Sequence, residues 1–72
     1  MKHLTAEDLA IELGLESGTE LFEGMISDFE SSNLIAARAN FNMLRAANQK
    51  QLLKYCNEYN NDDAYNFFHS LI

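Results

Sequence analysis

Neither proline nor valine occurs in this chain of 72 residues, and leucine and alanine dominate its apolar set. Leucine and alanine are strong helix formers, whereas valine favours strands and proline breaks helices. The chain is therefore expected to fold as an all-α protein, a small compact bundle of four to five short helices. Its 47% apolar content is that of a folded domain rather than a disordered acidic tail. No linker, repeat or low-complexity run divides it, so residues 1–72 read as one acidic helical domain. A chain near this size buries only about 60% of its unfolded surface. Its stability must come from close packing or from a partner.

Local signals mark out the helices. Thr5 followed by Asp8 resembles a capping box, and Ala6, Leu9, Ala10 and Leu13 recur at helical spacing up to a stop at Gly14. Residues 15–18 form a turn, and Ser17 or Thr19 caps a second helix reaching about residue 31. That helix carries Leu21, Phe22, Met25, Ile26 and Phe29 on one side, with Glu20, Glu23, Ser27 and Glu30 on another. Ser32 or Asn33 is expected to cap a third helix that turns Leu34, Ala37, Phe41 and Leu44 inward. The pair Asn48 and Gln51 resembles a fresh capping box and predicts a break near residues 47–49; without it, residues 33–59 would form one long helix. After the break, Leu52, Leu53, Tyr55, Cys56 and Tyr59 form an apolar stripe. Asn60 and Asn61 make a turn, with Asp62 and Asp63 as an acidic first turn suited to the helix dipole. The last helix, residues 64–72, is apolar nearly all round and must enter the core or meet a partner.

Charge divides the chain unevenly. Residues 1–32 carry eight carboxylates (Glu7, Asp8, Glu12, Glu16, Glu20, Glu23, Asp28 and Glu30) against Lys2 alone, a net −7. Residues 33–72 carry Arg38, Arg45, Lys50 and Lys54 against Glu58, Asp62 and Asp63, a net +1, which gives the total of −6. Such a field repels nucleic acid and anionic membrane and attracts basic surfaces. Arg38 and Arg45 are seven residues apart on one expected helix face and Lys50 and Lys54 four apart, with no aromatic interleaving. They read as a solvated face rather than a nucleic-acid stripe.

The residues that carry catalysis are poorly placed for it. Cys56 sits in the apolar stripe, and the histidines, His3 and His69, lie near the two ends. A nucleophile needs an adjacent base. Glu16 with Glu20, and Glu20 with Glu23, are one helical turn apart, but the wet face of an amphipathic helix desolvates neither partner. His69 with Asp62 or Asp63 lacks the spacing of a metal site, and Gly14, Gly18 and Gly24 fit no phosphate-binding loop. No enzyme activity, cofactor or metal is expected. A lone cysteine forms no internal disulfide, no apolar run approaches about 20 residues, and no signal-peptide pattern opens the chain. A cytoplasmic protein with no membrane partner is expected.

Residues 4–15, with Ala10 and Gly14 at the characteristic spacing, resemble the first helix and turn of a helix-turn-helix. That resemblance implies a DNA-binding regulator. It covers about a sixth of the chain. The next helix departs from it: Glu20 and Glu23 stand where the motif packs apolar side chains, and no Arg or Lys is present to read phosphates or bases. In size and charge alone, the chain is similar to the small acidic inhibitors of phages and mobile elements, including anti-CRISPR and anti-restriction proteins. The residues point to protein–protein contact. Glu12, Glu16, Glu20, Glu23, Asp28 and Glu30 would replace phosphates on a basic surface of a nucleic-acid-handling protein, without direct nucleic-acid binding. The rival readings are an ordinary solvated helix face, a degenerate helix-turn-helix regulator, and a self-associating module. The last would use Tyr65, Phe67, Phe68, Leu71 and Ile72, as in a homodimer.

Overall fold

The computed structural model describes residues 3–72, so Lys2, the one cation of the acidic half, lies outside the described residues. The helices are α1 (Ala6–Glu12), α2 (Gly18–Glu30), α3 (Leu34–Met43), α4 (Ala46–Glu58) and α5 (Asp62–His69). They confirm the expected all-α bundle. The longest dimension is 27 Å, and α2 is central, touching each of the other four helices through one face or another. Among the described residues, no helix is long and apolar enough to cross a membrane.

Short-range chemistry sets the helix ends. Thr5 Oγ1 accepts the Asp8 N–H at 3.1 Å, and Ser17 Oγ accepts the Glu20 N–H at 3.2 Å. At the other end, α1, α2 and α4 close in the same way. The residue after the cap adopts a positive φ (Gly14 at 78°, Ser32 at 63°, Asn60 at 55°), and the N–H of the following residue reaches back into the last turn. These bonds are Leu15 N–H to Ala10 carbonyl, Asn33 N–H to Asp28 carbonyl and Asn61 N–H to Cys56 carbonyl, at 2.8, 2.7 and 2.9 Å. This is the Schellman arrangement, in which glycine is the least strained occupant. Ser32 is thus consumed in ending α2, and Asn33 takes the N-cap position of α3 as one of the two expected residues, but without a side-chain cap bond. Left-handed backbone costs an L-residue roughly 1–2 kcal/mol. Part of the gain on removing it is offset by the freer unfolded glycine chain. Ser32→Gly is therefore expected to stabilise by about 0.5–1 kcal/mol. Urea denaturation checks this; a lowered midpoint would contradict the assigned backbone.

The expected break in the 33–59 segment is present but falls at Leu44 and Arg45, before the expected position. Both residues are extended, with ψ of 143° and 157°. Leu44 pairs with Leu4 in an isolated parallel bridge: the Leu4 N–H donates to the Met43 carbonyl at 2.8 Å, and the Arg45 N–H donates to the Leu4 carbonyl at 2.9 Å. The N-terminal segment thereby holds the chain open between α3 and α4. Gln49 Nε2 donates across the break to the Phe41 carbonyl at 2.8 Å, a second bond to an oxygen that also accepts the Leu44 N–H at 3.1 Å. Asn48 Nδ2 does bond Gln51 Oε1 at 2.6 Å, but both lie inside α4, so the pair is an intrahelical contact and no cap. Arg38 and Arg45 therefore do not share a helix. The final helix starts at Asp62 because Asn61 Oδ1 accepts the Ala64 N–H at 3.2 Å. It ends at His69 instead of continuing to Ile72.

The core is apolar throughout. Leu9, Leu21, Met25, Phe41, Leu44, Leu52, Cys56 and Phe68 are fully buried. Phe41 and Phe68 stack with ring centroids 5.5 Å apart, which ties α3 to α5. The expected inward face of α1 is only partly right: Leu9 and Ala10 are buried, but Leu13 is 49% exposed where the helix ends beside it. Leu34, at the first turn of α3, and Tyr59, at the end of α4, are likewise exposed.

Candidate partner-docking surface

The surface is built on the start of α2. Gly18 lies so close to α1 that a Cβ there would stand 3.0 Å from Ala6 Cβ and 3.0 Å from Glu7 Oε2. With no side chain in the way, Glu7 Oε2 accepts the Gly18 N–H at 3.0 Å. The carboxylate fills the positive end of the α2 dipole. One of the eight N-terminal carboxylates is thus a structural cap.

The six candidate carboxylates do not form one patch. Glu12 is exposed at the end of α1 and lines a groove with Asp8, His3 and Arg45. Glu16 is exposed in the α1–α2 connection. On α2, Glu20, Glu23 and Glu30 fall within about 80° of arc at roughly 100° per residue. Glu23 and Glu30 are exposed and Glu20 half-buried. Asp28, also half-buried, lies about 160° from Glu30 on the same wheel and belongs to the opposite flank. Glu23 Oε2 accepts the Tyr55 hydroxyl at 3.2 Å, and Glu30 Oε2 accepts Asn61 Nδ2 at 3.3 Å. The stripe therefore borders α4 and α5, and two of its members hold tertiary contacts as well as facing solvent.

The aromatic C-terminus takes the first of its two options and enters the core. Phe68 is fully buried, while Tyr65, Phe67 and Leu71 are half-buried against the core and Ile72 is exposed. Phe29 meets Phe67 and Phe68 at centroid distances of 5.1 and 6.4 Å. Of the expected alternative interface only Phe68 is fully interior, and Tyr65, Phe67 and Leu71 keep part of their surface outside the core.

Cys56 is fully buried, and burial pushes its thiol up to about 11. It is a protonated core group, inert as a nucleophile at neutral pH. His3 and His69 are exposed, with the His69 ring stacked 5.7 Å from Tyr65. Among the described residues, no three His, Cys, Asp or Glu side chains are grouped to hold a metal ion.

Three contributors escaped the sequence reading: Glu7, Tyr55 and Glu58. Tyr55, a member of the apolar stripe, is half-buried at the edge of α4, with its ring 5.8 Å from Phe22 and 4.6 Å from Tyr59. The spacing of Gln51, Lys54, Tyr55 and Glu58 at i, i+3, i+4 and i+7 was the available signal for a shared face. Those four residues, with Glu7, Gly18 and Phe22, line a groove of about 370 Å³ between the start of α2 and the second half of α4. Compared with protein-family models, with curated proteins and with solved structures, the chain finds no match.

Proposed function

We propose that this protein is a non-catalytic interaction module, an inhibitor or adaptor that docks its acidic α1–α2 region on a basic surface of a nucleic-acid-handling protein. The observation that carries the reading is the net −7 of residues 1–32, on a segment that leaves Glu12, Glu16, Glu23 and Glu30 in solvent. Like charges crowded on a small domain destabilise it, and a surface that bears that cost is explained by a cationic partner. Carboxylates at helical spacing can stand in for phosphates, as a nucleic-acid mimic of the phage-type inhibitors does. The same charge opposes direct DNA binding by α2, which contains neither Lys nor Arg. Burial of Phe68 makes self-association through the C-terminal helix the weaker alternative.

The test is affinity capture from cell lysate at 0.1 M and 0.5 M salt, with a Glu20/Glu23/Glu30→Gln variant alongside. Glutamine keeps an acceptor for Tyr55 and Asn61 while removing three charges, so the fold is retained. Exposed ion pairs contribute roughly 0.2–1 kcal/mol each, so the variant is expected to weaken partner binding about tenfold, and high salt to weaken it further. A basic nucleic-acid-handling partner lost under both conditions supports the reading. Affinity unchanged by salt and by the triple substitution overturns it.

A further inference from the structure

The groove between α2 and α4 combines features that the acidic stripe alone lacks. Half-buried Tyr55 and the small exposed part of Phe22 (7%) line it, and the exposed residues Glu7, Glu58 and Lys54 line it beside them. Two carboxylates of the lining thus stand against one cation, with Glu23 outside the lining at the Tyr55 hydroxyl. The amide that would attract an anion here, Gly18 N–H at the positive end of α2, is already bonded by Glu7 at 3.0 Å. The groove accordingly repels phosphate and is shaped for positive charge.

We infer that this groove receives an arginine side chain from a basic segment of the protein partner, its guanidinium lying against Phe22 and Tyr55 between Glu7 and Glu58 and displacing Lys54. A planar guanidinium stacks on aromatic faces and forks onto carboxylates, whereas an ammonium is a compact, strongly hydrated point charge. Arginine is therefore preferred over lysine, and Lys54 is a weak resident that yields to it. The inference rests on the docking reading above and names the point at which a partner is anchored.

The experiment is an amide-resolved NMR titration of the full chain with tetra-arginine and with tetra-lysine peptides at 20 mM salt, roughly the regime where surface charge is least screened. Saturable shifts are expected at Gly18, Lys54, Tyr55 and Glu58, with tetra-arginine binding about threefold tighter than tetra-lysine. Glu58→Gln is expected to weaken tetra-arginine about threefold. Lys54→Gln, which removes the competing cation, is expected to tighten it by a similar factor, an improvement that mere loss of structure does not produce. Glu12→Gln and Glu16→Gln are expected to leave the groove shifts unchanged. Shifts confined to Glu12, Glu16 and Glu20, with the two peptides bound equally, would overturn the groove while leaving the docking reading intact. Absence of groove shifts with either peptide would overturn it too, and the capture experiment would then judge the docking reading on its own.

Discussion

Phe41→Ala is expected to abolish cooperative folding near body temperature. Phe41 is fully buried, and it stacks 5.5 Å from Phe68, which meets Phe67 at 5.0 Å and Phe29 at 6.4 Å. Those rings join α2, α3 and α5, so the cavity left by the substitution opens where three helices meet. Truncating a buried phenylalanine costs about 3–5 kcal/mol, through lost transfer energy and an incompletely collapsed cavity. At about 0.05–0.15 kcal/mol per residue, a domain of this length has roughly 4–11 kcal/mol in total. The substitution therefore removes a large part of the margin, and at the lower end nearly all of it. Urea unfolding followed by helical circular dichroism is expected to show either no transition or a midpoint reduced by at least about a quarter. Phe29, which is half-buried, is expected to cost less when truncated. A Phe41→Ala midpoint equal to that of the parent would show that the ring cluster is not the centre of the core.

The same cluster shows where the sequence was legible. Helical periodicity identified Leu21, Phe22, Met25, Phe41, Leu52 and Cys56 as interior, because each reports on its own helix. The caps at Thr5 and Ser17 and the stop at Gly14 were readable for the same reason: their bonds span three to five residues. The α3–α4 break was misplaced because its cause is not local. Leu44 is extended so that its neighbours can pair with Leu4, forty residues away in the chain. Asn48 and Gln51 form the bond their spacing suggests, yet inside a helix, where it decides nothing about the boundary. The candidate site divides likewise. The stripe of Glu20, Glu23 and Glu30 follows from spacing alone. The links of Glu23 to Tyr55 and Glu30 to Asn61 cross more than thirty residues and were invisible. Asp28 was grouped by charge with residues that lie across the helix from it. Glu7 was counted as one charge among eight, and only its nearness to Gly18 reveals it as a second cap of α2 beside Ser17.

Alkali is expected to unfold this protein well before its backbone chemistry suffers. Burial pushes the Cys56 thiol from its ordinary 9.0 to about 11. Burial, then the Glu23 carboxylate that accepts its proton, and then Tyr59 push the Tyr55 phenol from 10.0 to about 12. In both cases the folded state holds its proton more tightly than the unfolded chain. Stability rises with pH only where the unfolded state binds more protons; here it binds fewer, so stability falls. The Cys56 contribution is complete below pH 9 and is lost progressively up to about pH 11. Two pH units correspond to about 3 kcal/mol. Tyr55 acts in the same direction between pH 10 and about 12, and because its ring is partly solvated its share is smaller. Urea midpoints measured at pH 8, 9.5 and 11 are expected to fall steeply over the last interval. Cys56→Ala is expected to be less stable than the parent at pH 8, because it leaves a small cavity, yet to lose much less on going to pH 11. Tyr55→Phe is expected to retain most of the parent's dependence. Equal pH sensitivity in the parent and Cys56→Ala would show that the thiol is not the group that opposes alkali.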